Sequence, residues 1–316
     1  MKPIGGEIAI KDQEETSFIT DSGRSSLRLL LRSGKFRSMK FLIPNFFCSV
    51  IEEVLIAEKV NYSFYDINED LSINNETINS VNYDVLYVIN YFGKIFDLSS
   101  IDLSNKILVE DNVFLYNFEN YQNSENWYAF NSYRKFSPLT DGSLIKTNLR
   151  INPSEINNIQ APFSSIKRDA CKKKYAFISE NKSSEIEFLQ LFNSGEKEIN
   201  NQNDIYCISP QSLNLIFKGD FNNQEILKSR FVELQDLTKK ESELPSYFSF
   251  FSFVLRNKKG FLEFMKRNNI FLPNFWPETT QKNDLYNNLV VIPLFYNDIE
   301  FKYVKEMLKT FLDNNV

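Results

Sequence analysis

The sequence predicts an α/β protein with a mostly parallel sheet flanked by helices, followed by a smaller α+β domain. Short apolar runs alternate with helix-like segments between residues 24 and 147, in the rhythm of βαβ units. These runs are apolar on both faces, which is typical of strands buried in a parallel sheet. The alternation weakens further along the chain. We therefore predict a large domain over residues 1–215 and a small domain over residues 216–316.

The large domain is predicted to begin with a helix just after Gly23 and to alternate from there. Apolar residues at helical spacing favour helices, and short apolar runs favour strands. The helices are predicted at Arg24–Ser33 and Ser49–Lys59, and the strands at Phe41–Ile43, Tyr62–Ile67, Val85–Asn90, Ile107–Glu110 and Ser143–Thr147.

The rest of the chain is predicted to be richer in helix. A charged helical stretch over Pro162–Asn193 is followed by the polar run Gly195–Asp204, which we interpret as a break. The small domain is predicted to hold helices at Gln224–Lys239, Gly260–Arg267 and Phe301–Leu312, and strands at Tyr247–Leu255 and Leu289–Pro293.

Charge and hydropathy argue against several classes of protein. A formal charge of −5 and a pI near 5.2 disfavour a general nucleic-acid binder, because such proteins need a cationic surface. No segment approaches the ~20 apolar residues that span a bilayer, and the first residues lack the apolar stretch of a secretory signal. We therefore expect a cytoplasmic protein without nucleic-acid or membrane partners.

The absence of histidine restricts the chemistry most. It removes Ser-His-Asp catalysis, Cys-His catalysis and His-ligated zinc together. The three cysteines, Cys48, Cys171 and Cys207, are widely spaced and predict neither a disulfide framework nor a metal site. Proton transfer would then use Lys, Asp, Glu, Tyr or Cys, which favours a lysine or carboxylate mechanism.

Asp111 is the first candidate for chemistry, because it closes the apolar run KILVED. This places a carboxylate at the carboxyl end of a predicted parallel strand, the edge at which open α/β sheets bind ligands. An Asp at a strand end can also simply cap the next turn, so this position alone leaves both interpretations open.

Lys135 is the second candidate, in the segment NSYRKFSPLTDGSLIKT. The neighbouring cation Arg134 favours the neutral form of the lysine, which is the form that attacks a carbonyl. A solvated Arg-Lys pair on a surface loop is the alternative. The order of an acid after one strand, then a lysine, then a glycine turn at Gly142 into another strand strengthens both candidates.

Two further segments could hold a ligand. In DSGRSSLRLLL, Gly23 and two serines lead into a helix, and free N–H groups at a helix start can bind phosphate, although the same residues are common as caps. Phe46 and Phe47 follow Pro44-Asn45 at the predicted sheet edge, where a ring could stack on a flat cofactor. Core packing is the alternative for both rings.

Taken in order, these segments resemble the DegT/DnrJ/StrS family of sugar aminotransferases, a branch of the fold-type-I pyridoxal-phosphate enzymes. The segments IGGE, SGRSSL, FLIPNFFCSV, VNYSFYDINEDL, INYFG, LVEDN and SYRKFSPLTDG stand in the family's order. LKSRFVELQDL and NNIFLPNFWP resemble its interdomain helix and a substrate-side segment of its small domain. The resemblance implies a large domain of the type I aminotransferase kind.

The resemblance also implies pyridoxal 5'-phosphate as the cofactor. Lys135 would be the Schiff-base lysine and the base that moves a proton between substrate and cofactor, while Asp111 would bond the pyridinium nitrogen. The residues implied to hold the cofactor's phosphate and ring are Gly23, Arg24, Ser25, Ser132, and Phe46 or Phe47.

The implied reaction transfers an amino group from an amino-acid donor such as glutamate to a keto sugar, nucleotide-linked, in bacterial surface-polysaccharide synthesis. Fold-type-I enzymes are usually homodimers with active sites at the subunit interface. A homodimer is therefore implied here as well.

Three departures from the family leave alternatives open. Phe114 stands where the family has Gln or His near the cofactor's phenolic oxygen, Ser143 replaces a second glycine, and the segment IPLFYND replaces a polar ending. A non-catalytic or repurposed member, acting as a binding or assembly subunit, is one alternative. Another is a different reaction on a sugar, such as dehydration, but that branch replaces the lysine with histidine, which this chain lacks.

Overall fold

The computed structural model describes residues 16–180, 182, 184–219, 221–240, 243–276 and 281–314. The IGGE segment, at residues 4–7, lies outside them. A seven-stranded sheet forms the centre of the molecule. Its strands are β1 (Thr16–Thr20), β2 (Lys40–Pro44), β3 (Asn61–Tyr65), β4 (Val85–Ile89), β5 (Ile107–Asn112), β6 (Trp127–Asn131) and β7 (Ser143–Thr147).

The strand order is β1-β7-β6-β5-β4-β2-β3. Strands β2 to β6 are parallel to one another, whereas β7 runs antiparallel to both β6 and β1. Every residue of β4 and β6 is buried, as expected for strands covered on both faces. The predicted fold class is confirmed, although β1 and β6 were not predicted as strands.

Helices flank this sheet and begin at its carboxyl edge. Ser22 caps the first helix, with its hydroxyl accepting a hydrogen bond from the Ser25 N–H. One turn of 3₁₀ helix, Tyr133–Lys135, follows β6 directly and carries the candidate lysine. The α-helices next to the sheet are α1 (Gly23–Arg32), α2 (Ser49–Ala57) and α3 (Asn75–Asn79).

A helical hairpin then packs beside the sheet. It consists of α4 (Pro162–Glu180) and α5 (Glu185–Asn201), flanked by β8 (Ile156–Gln160) and β9 (Ile205–Cys207). The predicted break at Gly195–Asp204 is wrong for its first seven residues, because they continue α5. Phe188, Gly195 and Ile199 share one buried helix face, so the polar residues between them form the solvent side of the helix.

The C-terminal part forms a second hydrophobic cluster around a two-stranded antiparallel sheet. Side chains of the main core nevertheless come from both parts of the chain, for example Tyr247 and Trp276. The boundary at residue 215 therefore stays a prediction. The elements here are α6 (Pro210–Ile216), α7 (Gln224–Thr238), β10 (Phe250–Val254), α8 (Lys258–Arg267), α9 (Leu285–Asn288), β11 (Leu289–Pro293) and α10 (Asp298–Asn314).

Close backbone packing joins the two parts at Gly93. Its φ is +86°, and an added Cβ atom would lie only 2.1 Å from the carbonyl oxygen of Tyr247. The N–H of Ser246 donates a hydrogen bond to the Gly93 carbonyl. Within the described residues, no helix combines the length and the apolar character that a bilayer span requires.

Glu110 is a buried acid on the opposite face of β5 from Asp111, because neighbouring strand residues point to opposite faces. Its Oε2 atom has no hydrogen-bond partner. Burial raises the pKa of Glu110 to about 7, against an opposing hydrogen bond from Asn90. The charged form is therefore disfavoured in the folded protein.

This raised pKa predicts a pH-dependent loss of stability. Below pH 4.5, the pKa of Glu110 in the unfolded chain, Glu110 is protonated in both the folded and the unfolded state. Between pH 4.5 and pH 7 the unfolded chain has lost this proton while the folded protein still holds it, so stability falls as pH rises. At pH 8 the penalty is complete, at roughly 3 kcal/mol. We expect Glu110→Gln to gain stability relative to wild type between pH 5 and pH 8, measured by denaturant unfolding. The exposed Glu306→Gln is the matched control, and a pH-independent difference for Glu110→Gln would contradict this assignment.

Candidate active site

A cavity of about 500 Å³ opens at the carboxyl edge of the sheet. This is the size range of small-molecule and cofactor sites. The ends of β5 and β6, the start of α1 and the hairpin α4–α5 supply its walls. Of the residues predicted for the site, Gly23, Arg24, Asp111, Ser132 and Lys135 line this cavity.

Asp111 lies in the wall of this cavity and is almost fully buried. Its Oδ2 atom accepts a hydrogen bond of 2.6 Å from the Tyr87 hydroxyl, and Oδ1 accepts one of 3.2 Å from the Val113 N–H. Burial raises the pKa of Asp111 to about 6, while Tyr87, Val113 and the charge of Lys135 oppose that rise. The two hydrogen bonds therefore hold the carboxyl group in place. A cation bound beside it would lower its pKa and favour the ionised form.

Lys135 lines the same cavity from the turn after β6. Its Nζ atom lies 5.9 Å from the centre of the Phe275 ring, and among the described residues it has neither a hydrogen bond nor an ion pair. Burial lowers the pKa of Lys135; Cys48 opposes this change, and Arg134 adds to it. A larger fraction of the amine is thus neutral near pH 7, which is the nucleophilic form.

The start of α1 supplies cationic and N–H groups to this cavity. Gly23 and Arg24 lie in the first turn, where N–H groups point out of the helix, and Ser132, directly after β6, lines the same cavity. Arg24 donates a hydrogen bond of 2.9 Å to the Ile199 carbonyl, which ties α5 to this edge. The arrangement suits an anionic group.

Gly142 shapes the turn between the lysine and β7. Its φ is +113°, and an added Cβ atom would lie 2.7 Å from Ile208 Cδ1. The N–H of Tyr133 donates to the Gly142 carbonyl, so this turn also fixes the 3₁₀ turn that carries Lys135. The next residue, Ser143, is buried and donates to the Asn131 carbonyl, so serine is accommodated at that position.

Three predicted site residues do not line the cavity. Ser25 is fully buried, and its hydroxyl accepts hydrogen bonds from Ser22 and Gln202. Phe46 and Phe47 are also fully buried: Phe46 packs on Trp276 at 5.0 Å between ring centres, and Phe47 stacks on Phe64. Core packing therefore accounts for both rings, and their position does not support the ring-covering role.

Other cavity residues were missed by the sequence interpretation. Tyr87 positions Asp111, and its only sequence signal is a polar ring in the apolar strand β4. Trp276 comes from the segment NNIFLPNFWP, for which the resemblance implies a substrate-side position but does not single out this ring. The remaining polar residues missed at this cavity are Ser22, Cys48, Arg134, Ser137, Thr140, Lys167, Cys171, Lys174 and Glu196.

The described part of the chain contains no group of three or more potential metal ligands among its His, Cys, Asp and Glu residues. The cavity instead brings one buried acid and one amine with a lowered pKa into a single space. Such a pair can hold a polar aromatic ligand at one end and react covalently with its carbonyl at the other.

The fold is shared with solved fold-type-I aminotransferases. No protein-family model matches the sequence, and no curated protein matches it either. Solved structures do match in fold. A DegT DnrJ EryC1 StrS aminotransferase from Brucella abortus is 13% identical, with a TM-score of 0.57, over 93% of this chain and 85% of that one.

Two further structures show the same similarity. DesV of S. venezuelae, solved in complex with a ketimine intermediate, is 11% identical with a TM-score of 0.60, over 93% of this chain and 84% of that one. GDP-4-keto-6-deoxymannose-3-dehydratase, ColD, solved with bound GDP-perosamine, is 16% identical with a TM-score of 0.57, over 93% and 88%. At identities of 11% to 16%, these matches show that the chain shares the fold of these enzymes.

Proposed function

We propose that this protein is a pyridoxal-phosphate-dependent aminotransferase that acts on a keto sugar, nucleotide-linked, in bacterial surface-polysaccharide synthesis. The observation that carries the proposal is the placement of Asp111 and Lys135 in the walls of one cavity, close enough for the lysine's charge to lower the pKa of the acid. The fold shared with DesV and ColD supports it, because those structures contain a ketimine and a nucleotide-linked sugar.

The residues present fit the cofactor. Asp111 would bond its ring nitrogen, and the start of α1 with Arg24 and Ser132 would hold its phosphate. Lys135 would bind its aldehyde, because this amine has a lowered pKa and no competing partner among the described residues. When bound, the cofactor supplies a protonated ring that withdraws electrons from the substrate carbon.

The chain's own groups then account for proton movement. Lys135 lines the cavity, and as a neutral amine its Nζ atom can accept a proton and return it. Tyr87 holds the Asp111 carboxylate in one orientation through its hydroxyl. The ring of Trp276 and the hairpin side chain Phe192 help to exclude water.

The position of Phe114 favours a second candidate function, a repurposed binding or assembly subunit. Phe114 is fully buried, and its ring packs against Phe92, Phe250 and Phe275. It therefore offers no polar contact to a cofactor. Lys135 and Asp111 nevertheless line one cavity, which supports transamination as the stronger proposal. Dehydration is disfavoured because the chain has lysine, and no histidine, for that position.

The proposal is tested with purified protein, pyridoxal 5'-phosphate, glutamate and a panel of nucleotide-linked keto sugars. We expect an absorbance band near the visible edge after the unbound cofactor is removed, and 2-oxoglutarate formation with at least one sugar. A colourless protein that takes up no cofactor would overturn the proposal in favour of the binding subunit. Sedimentation would test the homodimer and cell fractionation the cytoplasmic location, which are parts of the same proposal.

A further inference from the structure

One wall of the cavity is far more cationic than a single cofactor requires. Arg134 and three residues of the hairpin α4–α5, namely Lys167, Lys174 and Glu196, line the cavity beside Lys135. We refer to these four residues as the hairpin cluster. The cluster carries three positive charges and one negative charge, so its net charge is +2.

The hairpin cluster is held in place by packing. Lys167 is buried, and its stem passes over Gly195, where an added Cβ atom would lie 2.7 Å from Lys167 Cγ. Its ammonium group is ion-paired with Glu196. The guanidinium of Arg134 lies over the Phe163 ring and 3.8 Å from the same carboxylate. The Glu196 carboxylate is thus shared by two cations, Arg134 and Lys167, that packing holds in place.

The Glu196 carboxylate neutralises only part of the positive charge of the hairpin cluster. Arg134 Nε is buried and has no hydrogen-bond partner, which is costly for a charged group unless a ligand supplies an acceptor. Lys174 lines the cavity and makes no ion pair within the described residues. Burial raises the pKa of Glu196, but Arg134 and Lys167 more than offset this and keep it ionised.

We propose that the hairpin cluster is a subsite for the diphosphate group of the nucleotide-linked substrate, separate from the phosphate-binding start of α1. This inference rests on the proposed function. A diphosphate ester carries two negative charges, which matches the net charge of the cluster. The planar guanidinium of Arg134 and the ammonium groups of the lysines are the donors that proteins use for phosphate.

Binding of UDP, GDP and dTDP to the protein, with and without added pyridoxal phosphate, is the test, measured by calorimetry with the free nucleosides as comparison. We expect the nucleoside diphosphates to bind and the nucleosides to bind at least about tenfold more weakly, because charge-assisted hydrogen bonds are lost. Binding should weaken as salt is raised. The exposed Lys172→Ala, on the same helix but outside the cavity wall, is the matched control.

Two variants of one ion pair separate a ligand site from a structural contact. Lys167→Met removes a cation, so it should weaken diphosphate binding about tenfold, whereas Glu196→Gln removes the competing anion and should tighten it. A purely structural ion pair would give changes of the same sign in both variants, and that outcome would overturn the inference. Should Lys167→Met fail to fold, the exposed Lys174→Ala provides the same test of weakening.

The failure of this inference is distinguishable from failure of the proposed function. A protein that takes up pyridoxal phosphate and transaminates, but binds nucleosides and nucleoside diphosphates equally, would refute the subsite alone. A protein that binds the diphosphates with the expected opposite effects of the two variants, but takes up no cofactor, would refute the aminotransferase and retain the subsite.

Discussion

Replacing Lys135 with Ala is expected to abolish transamination, with turnover lower by roughly 10⁴-fold or more. The substitution removes both the amine that binds the cofactor's aldehyde and the base that moves the proton, and no histidine exists to replace it. The measurement is 2-oxoglutarate formation from glutamate and the accepted keto sugar. A second measurement is mass spectrometry after borohydride reduction, which should fix the cofactor to wild type and not to the variant.

The exposed lysine Lys309, on α10, provides the control for this prediction. Lys309→Ala removes the same chemical group far from the cavity wall and should leave turnover and borohydride fixation at wild-type values. If Lys135→Ala retained the borohydride-fixed mass, another lysine would be the covalent site. In that case the interpretation of this turn would be wrong.

Replacing Asp111 with Asn is expected to lower turnover by about 10²- to 10³-fold and to weaken cofactor binding. The amide keeps the shape and the hydrogen bond with Tyr87 but carries no charge, so it cannot hold a protonated ring nitrogen. Losing one fixed electrostatic partner of the reacting group commonly costs about this factor. Steady-state kinetics and titration of the absorbance band with cofactor give the two quantities.

Glu110→Gln is the matched control for Asp111→Asn, because it neutralises the adjacent buried carboxyl on the other face of the same strand. Its turnover and cofactor affinity should stay near wild type, while its stability at pH 8 rises. If both variants lost cofactor binding equally, the loss would reflect a general disturbance of strand β5. The specific role proposed for Asp111 would then be wrong.

Much of this architecture can be predicted from local pattern. The strand at Val85–Ile89 is apolar on both faces, the strand at Ile107–Asn112 begins with three apolar residues, and the helix at Gly23–Arg32 begins after a serine cap. Helical periodicity missed the last turns of α5, because polar residues separate its few buried positions. The short helices α3, α6 and α9 were not predicted either. Composition is a weaker guide than spacing when a helix buries only one narrow face.

Asp111 was predicted from its place after a strand, and Lys135 from its place beside Arg134 and before the glycine turn at Gly142. The structure puts both in one cavity. The two rings proposed to cover the cofactor do not line this cavity. Phe46 and Phe47 are buried behind the cavity, while Trp276, more than two hundred residues away in sequence, lines it. A run of aromatic residues predicts that the rings are buried, but it does not predict which of them line the cavity.

The sequence by itself determined the class of fold, the strand end that carries the acid, the turn that carries the amine, and the absence of histidine chemistry. These depend on residue type and on short-range spacing. Only the tertiary structure decided that Tyr87 orients the acid, that Trp276 lines the cavity, and that the hairpin cluster lies beside Lys135. Those contacts join segments far apart in the chain, and their geometry is set by packing, which no local periodicity records.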